Sequence, residues 1–184
     1  FNPDISKIIY CYGAWQPAFE ALETALGGLI QFRSDIPGKE ELMLLWREIK
    51  GEIILVLDDK MGALTDNAQG ARVVELVCVL SHHCHISCVI TLQNIFHNKT
   101  VREISLNSHY ICLFRNARSA AQVRTLGNQI MPGKSDFFMD SYSKAVSRNF
   151  GYLLLDLSPT TPEVYRLRTN IFPDEDLTIF TAKK

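Results

Sequence analysis

Glu52–Leu57 (EIILVL) constrains the fold of this chain more than any other stretch. Its aliphatic residues are continuous rather than alternating, which is the pattern of a strand covered on both faces. Four further runs read in the same way: Lys7–Tyr12 (KIIYCY), Cys88–Leu92 (CVITL), Tyr110–Phe114 (YICLF) and Tyr152–Leu157 (YLLLDL). Between them, apolar residues recur at helical spacing. Trp15, Phe19, Leu22 and Leu26 mark one helix face, stopped by Gly27-Gly28, and Leu42, Leu45, Trp46 and Ile49 mark another, stopped near Gly51. Thr65 or Asp66 caps a helix with Val73, Val74, Val77 and Leu80 on its apolar face. Ser119 caps one carrying Val123, Leu126 and Ile130, and Asp136 caps one running through Phe138, Tyr142 and Ala145. Leu29–Phe32 reads as a short extra strand and Val164–Phe172 as an edge strand. This alternation predicts an α/β protein of three layers, a mostly parallel sheet with helices on both faces.

The 184 residues suit one domain, covering 1–184. Nineteen Lys and Arg against twenty Asp and Glu leave a net charge of -1, so no global basic field advertises a polyanion. No stretch approaches the ~20 apolar residues of a membrane helix, so no membrane partner is expected. The five cysteines are odd in number and sit mostly in apolar segments, as buried free thiols of a reducing compartment do.

Parallel sheets bind ligands beyond the carboxyl ends of their strands. Asp58 and Asp59 follow the Glu52–Leu57 run. An apolar strand ending in two acids is the pattern in which one carboxylate holds a Mg²⁺ shell and the next takes a proton from water. The alternative is a solvated turn. Gln93 and Asn94 follow the third core run, where an amide could meet a phosphate or a water, or cap a turn. Arg115, Asn116 and Arg118 follow the fourth. An arginine there can stabilise phosphoryl charge, or simply lie on the surface. Cys78, His82, His83, Cys84, His85 and Cys88 match no zinc spacing, and no CxxC occurs. His82 and His83 read as a turn instead.

Taken together these stretches resemble the packaging-type ATPases of the FtsK–HerA superfamily, in the branch of poxviruses, large DNA viruses and Polinton (Maverick) transposons. The resemblance runs through Ile8–Leu22, Ile54–Met61 (ILVLDDKM), Ser81–Phe96, Val101–Val123, Asn128–Gly133 and Gly151–Pro159. It implies a RecA-like ASCE P-loop NTPase core, ATP and Mg²⁺ as cofactors, a homo-oligomeric ring and double-stranded DNA as translocated substrate. Viral capsid proteins become candidate partners, and the expected location is the host cytoplasm or nucleus, or the virion. Carried over by residue, Asp58 serves Mg²⁺, Asp59 is the general base and Gln93 the polar sensor. Arg118, with Arg102 and Arg115 as alternatives, is the candidate to act across a subunit boundary. Its expected place at a helix start is unfavourable for a cation.

The chain departs from the family in one motif. It has no GxxxxGK[ST] phosphate loop, and Gly133-Lys134-Ser135 is preceded by Asn128 where the first glycine belongs. In the family that loop precedes the strand corresponding to Ile8–Tyr12, so the expectation is a core truncated upstream of residue 1, with a domesticated or decayed element as the alternative. Two functions compete: a motor subunit, and a remnant or interaction module that keeps the fold without the nucleotide. A flavodoxin-like enzyme is a third reading, and it lacks a Gly-rich cofactor loop.

Overall fold

The computed structural model describes residues 4–182, and the chain divides into two compact units, Phe1–Ile104 and Ser105–Lys184. In the first unit, strands β1 (Ile5–Tyr12), β2 (Ile30–Arg33), β3 (Glu52–Asp58) and β4 (Ile86–Ile90) form one sheet in the order β2-β1-β3-β4. All three pairings are parallel. Helix α1 (Ala18–Leu26) joins β1 to β2, and α2 (Lys39–Ile49) joins β2 to β3. The β3–β4 connection holds α3 (Met61–Thr65), α4 (Asn67–Glu75), a π-helical turn at Leu76–Leu80 and the short α5 (Ser81–His83); α6 (Lys99–Leu106) follows β4.

The protein is therefore α/β, built on an all-parallel four-stranded sheet. Ile53, Leu55 and Leu57 are wholly buried on one face of β3, and Ile54 and Val56 are half-buried on the other. Ile9 and Cys11 of β1, Leu42 of α2, Leu64, Val73, Leu76 and Leu80, Cys84, Ile86 of β4, and Val101 and Ile104 of α6 complete this core. The connection into α4 is capped as expected: Asp66 accepts from the Gln69 N–H at 2.8 Å.

The second unit corrects the expectation that the fourth and fifth runs join the parallel sheet. Strands β5 (Tyr110–Phe114), β6 (Tyr152–Asp156), β7 (Leu167–Thr169) and β8 (Thr178–Ile179) form a separate sheet in chain order, antiparallel throughout. The reason lies in the connection. Two helices, α7 (Ala120–Ile130) and α8 (Ser135–Ala145), separate β5 from β6. With that connection β6 runs back along β5, Tyr110 opposite Asp156 and Phe114 opposite Tyr152.

Strand β6 is buried along its whole length, which is why it read like a parallel core strand. Strand β7 lies between β6 and β8, so the Val164–Phe172 stretch is not an edge, and its first residues form a 3₁₀ turn at Glu163–Tyr165. Ser119 precedes α7 without a side-chain cap bond, and α8 opens at Ser135, which puts Asp136 in its first turn rather than at the cap.

Candidate active site at the carboxyl ends of the parallel strands

The order β2-β1-β3-β4 reverses direction between β1 and β3, because the first connection runs to one side and the next crosses to the other. Ligand crevices in doubly wound sheets open at such a reversal, outside the carboxyl ends. Tyr12 pairs with Asp58 in the β1–β3 register. The two acids therefore sit at the topologically favoured point, and Asp58 is the last residue of β3.

Three neighbouring strands supply the side chains there. Tyr10 of β1 donates its hydroxyl to Asp58 Oδ2 at 3.1 Å. Thr91, which follows β4, donates its hydroxyl to Asp58 Oδ1 at 2.7 Å. The same Thr91 oxygen accepts the Asp59 backbone N–H at 3.1 Å. Each oxygen of Asp58 thus accepts one hydroxyl proton, an arrangement suited to the ionised carboxylate. Asp59 differs from its neighbour in every respect. Its side chain is exposed, and its backbone has φ +52°, the left-handed region that Asp tolerates better than most residues. The Asp59 side chain lies near the exit of β1, its Oδ2 3.3 Å from where a Gly13 Cβ would stand.

Gly13 explains how the turn fits. A Cβ built at Gly13 would lie 2.6 Å from the Asp59 carbonyl oxygen and 3.1 Å from its Cβ. The exit of β1 can pass the left-handed turn only without a side chain. Lys60 then ties the loop after β3 to the loop after β2, donating to the Ser34 carbonyl at 2.6 Å. Beside Tyr10 lie Tyr12, Trp15, Phe19 and Phe32, with ring centroids 5.0–5.8 Å apart. Burial, the bond to Asp58 and the charge of Asp58 push the Tyr10 phenol up to about 12. Burial pushes the Cys11 thiol up to about 11 and Cys88 to about 12, so neither is a thiolate nucleophile near neutral pH.

The other expected site residues fall elsewhere. Strand β4 spans Ile86–Ile90, two residues earlier than the apolar run suggested, because its register with β3 ends at Leu57 and Ile90. The strand tip is therefore Thr91, whose N–H reaches the Leu57 carbonyl at 3.1 Å. Gln93 is exposed in the following loop, where Asn94 closes a turn by accepting the Phe96 N–H at 2.8 Å. Arg102 is exposed on α6 of the first unit. Arg115 and Arg118 belong to the second unit. Arg118 precedes α7 instead of opening it, and its N–H bonds Asn116 Oδ1 at 2.9 Å. Arg118 therefore stands outside the first turn of α7, not at the helix start expected of it.

Tyr10 and Thr91 were hidden in the sequence inside runs that read simply as strand. The signal that could have found them is positional: both are hydroxyl residues near the carboxyl ends of strands flanking the one that ends in two acids. Among the described residues, no group of three or more His, Cys, Asp or Glu is gathered as a metal site. The His82 side chain lies outside the described part. No helix among those residues is long and apolar enough to cross a membrane. A groove of about 820 Å³ opens at the amino ends of the strands, lined by Ser6, Trp46, Arg47, Lys50, Glu52 and His85. It is at the end of the sheet away from the acids, so the strand-end geometry is the better guide to chemistry. Comparison with family models, curated proteins and solved structures finds no match to this chain.

Proposed function

We propose that this chain is the acid-bearing core of an ATP-driven motor subunit that moves double-stranded DNA, working as a ring of identical subunits in the packaging machinery of a virus or virus-like transposon. The reading rests on the resemblance in sequence. The observation that carries it is the division of labour between the two acids. Asp58 is held as an acceptor by hydroxyls from two neighbouring strands, while Asp59 is exposed to solvent.

The two carboxylates are hard oxygen donors, of the kind that suits Mg²⁺. When bound, Mg²⁺ would supply charge neutralisation for phosphate oxygens. Asp58 would hold its hydration shell, and Asp59 would accept a proton from a water aligned at the crevice. Gln93 remains the candidate polar sensor, and one of Arg102, Arg115 and Arg118, offered by a neighbouring subunit, the candidate to stabilise phosphoryl charge. ATP itself does not fit the residues present, because no GxxxxGK[ST] cradle exists among them. No step through the nucleotide is assigned to this chain alone.

That missing cradle favours a second reading, an interaction module that retains the fold without the nucleotide. One experiment separates the two: ATP hydrolysis by the complete gene product, with and without double-stranded DNA. The motor reading expects hydrolysis that DNA stimulates and that Asp59→Asn lowers by roughly 10²–10⁴-fold while ATP binding persists. Asp58→Asn should weaken Mg²⁺-dependent binding as well. Hydrolysis by Asp59→Asn at the parental rate would remove Asp59 from its role. Absence of any hydrolysis in the parent would leave the module.

A further inference from the structure

The geometry points to Thr91 as the positioning residue for both acids, an inference that rests on the reading of Asp58 and Asp59 given above. A hydroxyl has one proton and two acceptor sites. Thr91 commits its proton to Asp58 Oδ1 and one acceptor site to the Asp59 N–H. A single side chain therefore fixes the carboxylate of one acid and the backbone of the next. Asp59 needs such an anchor, because its left-handed φ of +52° is a conformation a non-glycine residue adopts at a cost. Tyr10 cannot substitute. It reaches Asp58 Oδ2 alone, from the other side, and touches nothing of Asp59 that Thr91 holds.

The placement follows from the strands. β4 pairs with β3 up to Ile90 and Leu57, and the Thr91 N–H still reaches the Leu57 carbonyl. Thr91 is thus the first residue past the ladder on the strand beside the acids, and the ladder itself sets its height relative to them. A β-branched residue there keeps χ1 stiff, which suits a hydroxyl that must meet two partners at once. Loss of the hydroxyl should release the Asp59 turn and let Asp58 rotate, without removing any carboxylate.

The test uses Thr91→Val, which keeps the shape and branching and removes the hydroxyl, and Thr91→Ser, which restores it. In the 184-residue chain, amide exchange at Asp59 should quicken by about tenfold in Thr91→Val and stay near the parental rate in Thr91→Ser. The ¹³Cα and ¹³Cβ shifts of Asp59 should move away from left-handed values only in Thr91→Val. Tyr10→Phe should leave the Asp59 amide unchanged, which separates a specific anchor from general loosening of the sheet end. In the complete gene product, Thr91→Val should lower kcat by about tenfold or more with KM for ATP within about twofold, and Thr91→Ser should recover most of it.

Asp58→Asn is the reference. If Asp58→Asn and Asp59→Asn both hydrolyse ATP at the parental rate, the reading of the acids fails. If those two lose activity while Thr91→Val keeps the parental rate and the parental Asp59 exchange, the acids stand and the positioning role of Thr91 is wrong. Equal losses in Thr91→Val and Thr91→Ser would also overturn it, since the hydroxyl would then not be the group that matters.

Discussion

At the scale of single residues, Tyr10 joins an aromatic cluster to the carboxylate of Asp58, and the bond makes a pH signature. Its phenol is pushed from 10.0 up to about 12, mainly by burial and then by the hydrogen bond and charge of Asp58. A raised value means that the folded state holds the proton more tightly than the unfolded chain. The stabilisation is complete below pH 10 and is lost as pH rises from there through about 12. The stability gap between the parent and Tyr10→Phe, read by urea unfolding, should therefore shift against the parent over that alkaline window. A gap that stays constant across it would show that the phenol proton is not what links the two states. Gly13 belongs to the same scale: its missing Cβ, rather than any side chain, lets β1 pass the Asp59 turn.

At the scale of elements, the second unit depends on how closely α7 and α8 approach each other. A Cβ at Gly127 would lie 2.5 Å from Phe138 Cδ1, and Phe138 is wholly buried. Helix propensity alone would favour alanine at a mid-helix glycine by up to about 1 kcal/mol. The contact reverses the sign, because a packed aromatic ring must move. Gly127→Ala should destabilise the protein by about 1–3 kcal/mol, an overpacking cost, read as a lowered urea midpoint at unchanged slope. A gain in stability would mean that the helices have room to separate. Elsewhere in the unit, Asp156 is buried at the end of β6, and Arg168 of β7 meets its Oδ2. The pair keeps a carboxylate inside an otherwise apolar strand, and loss of Arg168 alone would leave that charge buried.

At the scale of the whole molecule, the absent phosphate cradle leads to a direct expectation. The 184-residue chain lacks the backbone N–H groups and lysine that hold β- and γ-phosphates. Calorimetry with MgATP should detect no specific site at micromolar concentration, and a tight one-to-one isotherm would show that another part of the chain binds the nucleotide. The ring expectation has its own test, mixing subunits of the complete gene product. Arg118→Ala subunits should regain hydrolysis when combined with Asp59→Asn subunits, because each carries the half-site the other lacks; arginines acting in this way contribute ~10³–10⁵ in rate. Mixed assemblies no more active than either variant alone would take Arg118 out of that role and leave Arg102 and Arg115 to be tried.

What the sequence determined by itself was the kind and place of most elements. Continuous apolar runs marked β1, β3, β5 and β6 to within two residues; burial accounts for the runs of β3 and β6, whereas β5 buries only Leu113. Asp58 and Asp59 were legible for the opposite reason: two charges directly after such a run must stand at its end. Partner and direction were not legible. YICLF and YLLLDL look the same in a parallel and in an antiparallel sheet, because an apolar run does not record which strand supplies the hydrogen bonds. Only the tertiary structure, through long-range pairing, set β6 against β5 in reverse. The same limit hid Thr91. Within CVITL it was one more strand residue, and its role arose when the β3–β4 register ended at Ile90 and left its hydroxyl between Asp58 and the Asp59 amide. Local patterns report how a residue meets solvent; which residue it meets is decided by long-range pairing that no short window contains.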